Sequence, residues 1–250
     1  MVLWWLGCGF GVGSVGISVP DTGVDPSRAA PPEGTVPSEA SWTLDVQDVD
    51  SLPLADHRVE LYFPGGPSTA SLTTDAAGRV GETGLAPGVY GVRVVGALTA
   101  AWVFTVEAGD TIAHTVRLPE PGFAVPLPDP AEPVTVGAGL VVLVDELLPP
   151  PFEPPTTTLS ATRVEPPLPF DGRGTVVGNW LFDPYDHTAS NGMAVGFSLP
   201  ADTEGPLEVW QPDLPGARWR RVGTVDGPGL FEGDAVLDAT LPVVLVAPPQ

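Results

Sequence analysis

The sequence predicts an all-β protein of two consecutive β-sandwiches joined by a Pro-rich linker. Three observations carry this reading. Turn formers are dense, with 32 Pro and 30 Gly in 250 residues, which leaves little room for long helices. Between them run short segments of alternating apolar and polar residues, the period of a half-buried strand. The hydrophobic fraction of 43% suffices for packed cores and speaks against a disordered chain.

The elements follow in order. Residues 42–46 alternate and open the first sandwich, and residues 57–63 give a second strand. Strands on either side of Asp75-Ala76-Ala77-Gly78 are joined by a type I turn closed by a glycine of positive φ. Pro87-Gly88 suits a type II turn with Gly88 in the left-handed position. After it, Tyr90, Val92 and Val94 alternate with Gly91 and Arg93. Residues 102–106 and 111–118 close the sheet pair around Ala108-Gly109-Asp110. About seven short strands at such spacing are the signature of a sandwich over residues 41–118. Residues 119–133 hold six prolines and form the expected linker. The second domain, 134–250, opens on the apolar run 134–144, one or two buried strands. A Pro-rich excursion over 147–158 precedes strands at 159–164, 175–182, 193–199, 207–210, 218–222 and 236–246. Residues 207–210 and 218–222 pair as a hairpin across 212–216.

The first sandwich resembles a known family. Pro53-Leu54 to Val59-Glu60-Leu61, Thr74-Asp75 to Gly78-Arg79-Val80, and Gly84-Leu85 to Tyr90-Gly91-Val92 are similar to the carboxypeptidase regulatory-like domain. That domain is a transthyretin-like sandwich related to the Cna B-type repeats of bacterial surface proteins. His57 departs from the pattern, where small residues are usual. The second half is similar to the β-sandwich of ankyrins and netrin receptors, through Phe182-Asp183-Pro184, residues 192–200, Leu207 to Trp210 and Trp219 to Gly223. The first resemblance implies a fold and little about function, whereas the second implies docking and domain coupling rather than catalysis.

Charge narrows the partners. The formal charge is −21, from 31 acidic and 10 basic residues, every basic one an arginine. Nucleic acid would be repelled, and anionic membrane surfaces are disfavoured for the same reason. Acidity of this kind keeps a surface protein soluble. Without lysine there is no P-loop, no Schiff base and no Lys–Asn cross-link of the kind some Cna B-type relatives form.

Cys8 is the single cysteine, so no intrachain disulfide exists. Residues 1–20 carry no charge, and Leu3-Trp4-Trp5-Leu6-Gly7-Cys8 ends like a lipobox, whose cysteine becomes the acylated N-terminus of a lipoprotein. Trp5 stands where Leu is usual, and the apolar stretch is short and lacks a basic flank. The short, unflanked stretch fits a true start upstream. Residues 21–40 are Pro-, Gly- and acid-rich and read as a disordered tether.

Few constellations could carry chemistry. Gly11-Val12-Gly13-Ser14-Val15-Gly16 matches G-x-G-x-x-G but lacks the strand and helix that the motif needs. Asp45, Asp48, Asp50 and Asp56 could gather Ca²⁺, though a solvated strand face explains them more simply. Asp183, Asp186 and His187 form the one acid/His cluster, and Pro184 between them favours a turn. No G-x-S-x-G or H-x-x-E signature occurs. Pro248-Pro249-Gln250 does not resemble the ending of a transthyretin-like purine-pathway hydrolase. Of seven Trp, three (Trp42, Trp102, Trp180) fit core positions. Trp210 and Trp219 sit beside Arg218, Arg220 and Arg221, the densest cationic patch on the chain. Exposed aromatics with arginine suit a glycan or an acidic partner; the alternative is a cross-strand Trp pair with arginine stacked over it.

The sequence therefore predicts a secreted or lipid-anchored bacterial envelope protein, non-catalytic and without cofactor or metal. Its partner would be a protein or polysaccharide at the cell surface, with membrane contact only through the lipid anchor. An accessory carbohydrate-binding module is the second reading, and the regulatory part of an extracellular peptidase the third.

Overall fold

The computed structural model describes residues 39–64, 69–153, 155–227 and 229–249. Cys8, the Gly11–Gly16 motif and the expected tether up to residue 38 lie outside them. The described residues form strands and connections, with no helix among them.

The first half holds β1 (Ala40–Gln47), β2 (Arg58–Tyr62), β3 (Thr69–Thr73), β4 (Arg79–Leu85), β5 (Gly88–Val95), β6 (Ala100–Val106) and β7 (Thr111–Arg117). One sheet has the order β4-β1-β7, with β1 antiparallel to β4 and parallel to β7. The other is β3-β2-β5-β6, antiparallel throughout. The alternation in β1 decides its inward face: Trp42, Leu44 and Val46 are fully buried. They meet Val59, Leu61, Tyr90, Val92, Trp102 and Phe104 from the opposite sheet. Trp42 stacks on Phe104 at 5.7 Å, and Phe104 on Tyr90 at 5.8 Å.

The turn at Asp75 forms as expected. Gly78 N donates to Asp75 O at 2.9 Å with Gly78 at φ +70. The Asp75 carboxylate accepts from Ala77 N and Arg79 N. A Cβ on Gly78 would stand 2.5 Å from Val46 O, so close approach and conformation both require glycine. The second expected turn is different. β4 and β5 lie in different sheets, so the chain turns a corner rather than a hairpin. Gly88 is near extended at φ +158, and Gly84, at φ +72, takes the left-handed position instead. The Tyr90 hydroxyl holds the corner by donating to Ala86 O at 2.9 Å, the device of a tyrosine corner.

The second half comprises β8 (Val125–Pro126), β9 (Val134–Gly137), β10 (Leu140–Val144), β11 (Leu147–Leu148), β12 (Thr158–Arg163), β13 (Thr175–Asp183) and β14 (Thr188–Ser198). It continues with β15 (Leu207–Asp213), β16 (Arg218–Asp226), β17 (Leu230–Gly233), β18 (Val236–Ala239) and β19 (Val243–Ala247). Hydrogen bonds link them in the order β8-β12-β13-β19-β15-β16-β17-β14-β10-β9, with β11 and β18 also on β14. This path folds over a single core. Trp180, Phe182, Val209, Val243 and Leu245 on one side meet Leu140, Val142, Met193, Phe197 and Leu237 on the other.

Three differences from the sequence reading stand out. The run 236–246 is two strands, because β18 pairs with β14 while β19 lies between β13 and β15. β15 runs on through Pro212 to Asp213, so the hairpin turn is 214–217, with Ala217 at φ +45. Residues 119–133 carry β8, which pairs with β12, and Leu127 packs against the second core.

Some strands are buried on both faces. In β6 every residue from Ala100 to Phe104 is buried, and in β13 so are Trp180, Leu181 and Phe182. Trp180 and Phe182 face the second core, whereas Leu181, with Val164 and Leu168, joins the first. The tip of the β15–β16 hairpin covers the outer face of the four-stranded sheet. There Leu214 packs with Ala101 and Val103, flanked by Tyr62, Val89, Tyr185 and Trp219. Gly91 permits this approach, since a Cβ on it would lie 3.0 Å from Leu214 Cδ2.

Candidate functional site

That packing leaves a cleft of about 400 Å³ beside the hairpin tip. Strands β2 and β5 contribute Tyr62 and Arg93, and the β13–β14 connection contributes Tyr185 and Asp186. The hairpin supplies Pro212, Asp213, Leu214, Pro215, Arg218 and Arg220, with Leu241 nearby. A second hollow of about 320 Å³ adjoins it at Arg93 and Tyr185 and adds Arg58, Glu153 and Asp183.

A buried charge organises the floor. Glu60 is 4% exposed and pairs with Arg58 and Arg93. Arg93 Nε donates to Glu60 Oε2 at 2.7 Å, and the Tyr62 hydroxyl donates to the same oxygen at 3.0 Å. The Arg93 guanidinium lies 5.8 Å from the centre of the Tyr185 ring, in cation–π range. Burial pushes the Tyr62 phenol up to about 12 and raises that of Tyr185 as well. Both therefore stay protonated, and the cleft offers hydroxyls rather than phenolates. Asp186 is exposed by area, yet the atoms crowding its carboxyl desolvate it and raise its pKa, with Arg93 opposing.

The residues singled out from the sequence are distributed as follows. Arg218, Arg220 and Arg221 each meet a carboxylate: Asp213 at 2.9 Å, Asp238 at 2.5 Å and Glu208 at 3.2 Å. Arg218 and Arg220 line the cleft. Trp219, on the other face of β16, packs toward the first sandwich. Trp210 lies opposite Arg221 and Trp219 opposite Pro212, so the two Trp are not a cross-strand pair. Both instead meet Phe170, at 5.9 and 5.0 Å. Asp45 pairs with Arg79 at 2.7 Å, and Asp48 caps its own turn by accepting from Asp50 N and Leu52 N. Asp186 takes a left-handed φ of +60, and buried His187 hydrogen-bonds through its backbone N to Thr240 Oγ1. Among the described residues no group of three or more His, Cys, Asp or Glu is gathered as for a metal ion.

Sequence reasoning missed Tyr62, Arg93 and Tyr185. The available signal was the register: Glu60 stands directly opposite Arg93, a complementary cross-strand pair. His114 lies on β7. The ring turns inward, and its Nδ1 accepts from Trp42 Nε1 at 3.2 Å and Trp102 Nε1 at 3.3 Å. Burial lowers its pKa from 6.5 to about 4, against a small upward pull from Asp171. The unfolded chain therefore takes up this proton first. The stability that neutral His114 contributes is complete above about pH 6.5, declines as pH falls toward 4, and is gone below. Between pH 7 and 4.5 the melting temperature of the wild type should fall more steeply than that of His114→Phe. Parallel curves would show that His114 does not titrate in this way.

No family model matches the chain, and no curated protein is significantly similar to it. Solved structures with some likeness include a 5-hydroxyisourate hydrolase of Klebsiella pneumoniae. It is 20% identical, with a TM-score of 0.26, over 32% of this chain and 84% of that one. The major pilin subunit BcpA of Bacillus cereus is 12% identical, with a TM-score of 0.29, over 85% of this chain and 60% of the pilin. A DUF3823 family protein of Parabacteroides merdae is 12% identical, with a TM-score of 0.26, over 84% of this chain and 99% of that one.

Proposed function

We propose that this chain is a non-catalytic binding protein of the bacterial cell surface. It couples a carboxypeptidase regulatory-like sandwich to a second sandwich and offers the cleft between them to a protein or polysaccharide partner. The observation that carries the reading is the cleft itself. Aromatic rings and guanidinium groups from both sandwiches, with the carboxylates of Asp186 and Asp213 from the second, converge on one concavity, as binding sites at such junctions do. A lipid on Cys8 would hold the protein at the envelope, supported by its being the single cysteine, by Gly7 before it and by the uncharged residues 1–20.

Two measurements test this. The full chain, layered on fractionated envelope polysaccharides and surface proteins, is expected to bind one fraction saturably. Tyr185→Ala should weaken that binding about tenfold, the usual cost of losing an aromatic anchor. Saturable binding that ignores Tyr185→Ala would move the site elsewhere, and no binding at all would leave a spacer. Expressed from its natural upstream region, the wild type should partition into detergent and Cys8→Ser should not.

A further inference from the structure

We propose that the cleft takes a terminal hexuronate-type sugar, with the ligand carboxylate at Arg218 and Arg220 and its hydroxyls at Asp186. This rests on the reading of the cleft as the binding site and adds the chemistry of the occupant.

Charge is the first argument. On a chain of formal charge −21, three of the nine described arginines, Arg93, Arg218 and Arg220, line one cleft. Arg93 is committed to Glu60. Arg218 engages Asp213 through Nε alone, and Arg220 engages Asp238 through Nη1 alone. Their remaining N–H groups have no partner among the described residues. Both side chains are accessible, at 69% and 40% exposure, and exposed ion pairs are weak competitors. A guanidinium fork matches a carboxylate bidentately.

The rest of the lining fits a sugar ring. The Asp186 carboxylate has no hydrogen-bond donor among the described residues, and when ionised it only accepts, so it suits hydroxyls. Tyr62, Tyr185, Pro212, Leu214 and Leu241 offer surfaces for the C–H face of a ring. A volume of about 400 Å³ holds a compact ligand. A peptide is disfavoured for a topological reason. β2, β5, β15 and β16 are each already paired on both sides, so no free edge is available for strand addition. The acidity of the whole chain disfavours a long polyanion, which leaves one terminal acidic residue.

The test is calorimetric titration of the full chain with glucuronate and galacturonate, and with disaccharides ending in each. Carboxyl-reduced counterparts and a glutamate-rich peptide serve as comparisons. At least one acidic sugar should bind. Carboxyl reduction, or Arg218→Gln combined with Arg220→Gln, should each weaken it about tenfold or more, the effect of losing a charge-assisted pair. Asp186→Asn should weaken acidic and reduced sugars alike. Equal binding of the reduced sugar would overturn the carboxylate assignment while leaving the cleft as a binding site. Preference for the peptide, or no binding of any acidic sugar, would overturn the proposal outright. Should the double variant fail to fold, the comparison of acidic with reduced sugar on the wild type decides alone.

Discussion

Glu60→Ala is expected to lower the stability of the chain by about 3–5 kcal/mol, the usual consequence of breaking a buried pair from one side. Glu60 is 4% exposed and is the acceptor for Arg58, Arg93 and Tyr62 together. Its loss leaves Arg93, half-buried beneath the hairpin tip, without its directly paired carboxylate. For a folded unit of this size the melting temperature should fall by roughly 10 °C. Glu60→Leu with Arg93→Leu should recover most of that, because an apolar pair of similar volume avoids the unpaired charge. A loss below about 1 kcal/mol in the single variant would mean that water, not Glu60, compensates Arg93.

Leu181→Asp should be at least as damaging, although residue 181 lies in the second half and its main effect falls on the first. Leu181 is fully buried and joins the core built on Trp42, Trp102 and Phe104. A carboxylate there has no partner, and its burial costs several kcal/mol or forces protonation. The same contact bears on the halves taken alone. Residues 39–118 without the rest should still give a β-type circular dichroism spectrum, but they should melt well below the full chain. Val164, Leu168 and Leu181, which close that core, would be missing, and Ala101 and Val103 would lose Leu214. Equal melting temperatures for the isolated span and the full chain would show that this interface contributes nothing.

Much of the strand content was legible in residue order. β1, β2, β5 and β7 follow period-two patterns, and the turn at Asp75–Gly78 follows from a carboxylate that caps it and a glycine that closes it. β8, β11 and β17 were not legible, since two to four residues are too few to show a period. At Pro87-Gly88 the expected type II turn gives way to a sheet-to-sheet corner in which Gly88 is near extended and Gly84 is left-handed, because the partner sheet of β5 is not encoded in the Pro-Gly pair. The run 236–246 concealed a break because both of its strands are apolar and partner choice is not encoded locally.

By itself the sequence determined the all-β class, the strands of the first sandwich, the burial of Trp42, Trp102 and Trp180, and the acidity of the chain. These follow from local rules: side-chain alternation, turn chemistry and the sum of charges. Only the tertiary structure decided which face of the first sandwich is covered, and with it the cleft. Arg58, Glu60 and Tyr62 alternate as a solvated strand face would, and Arg93 lies on a neighbouring strand. Tyr62 and Arg93 came to line a cleft because a hairpin more than a hundred residues later lays Leu214 over Gly91. Contacts between residues so far apart in the chain depend on how two sheets stack, and no periodicity within either segment records that.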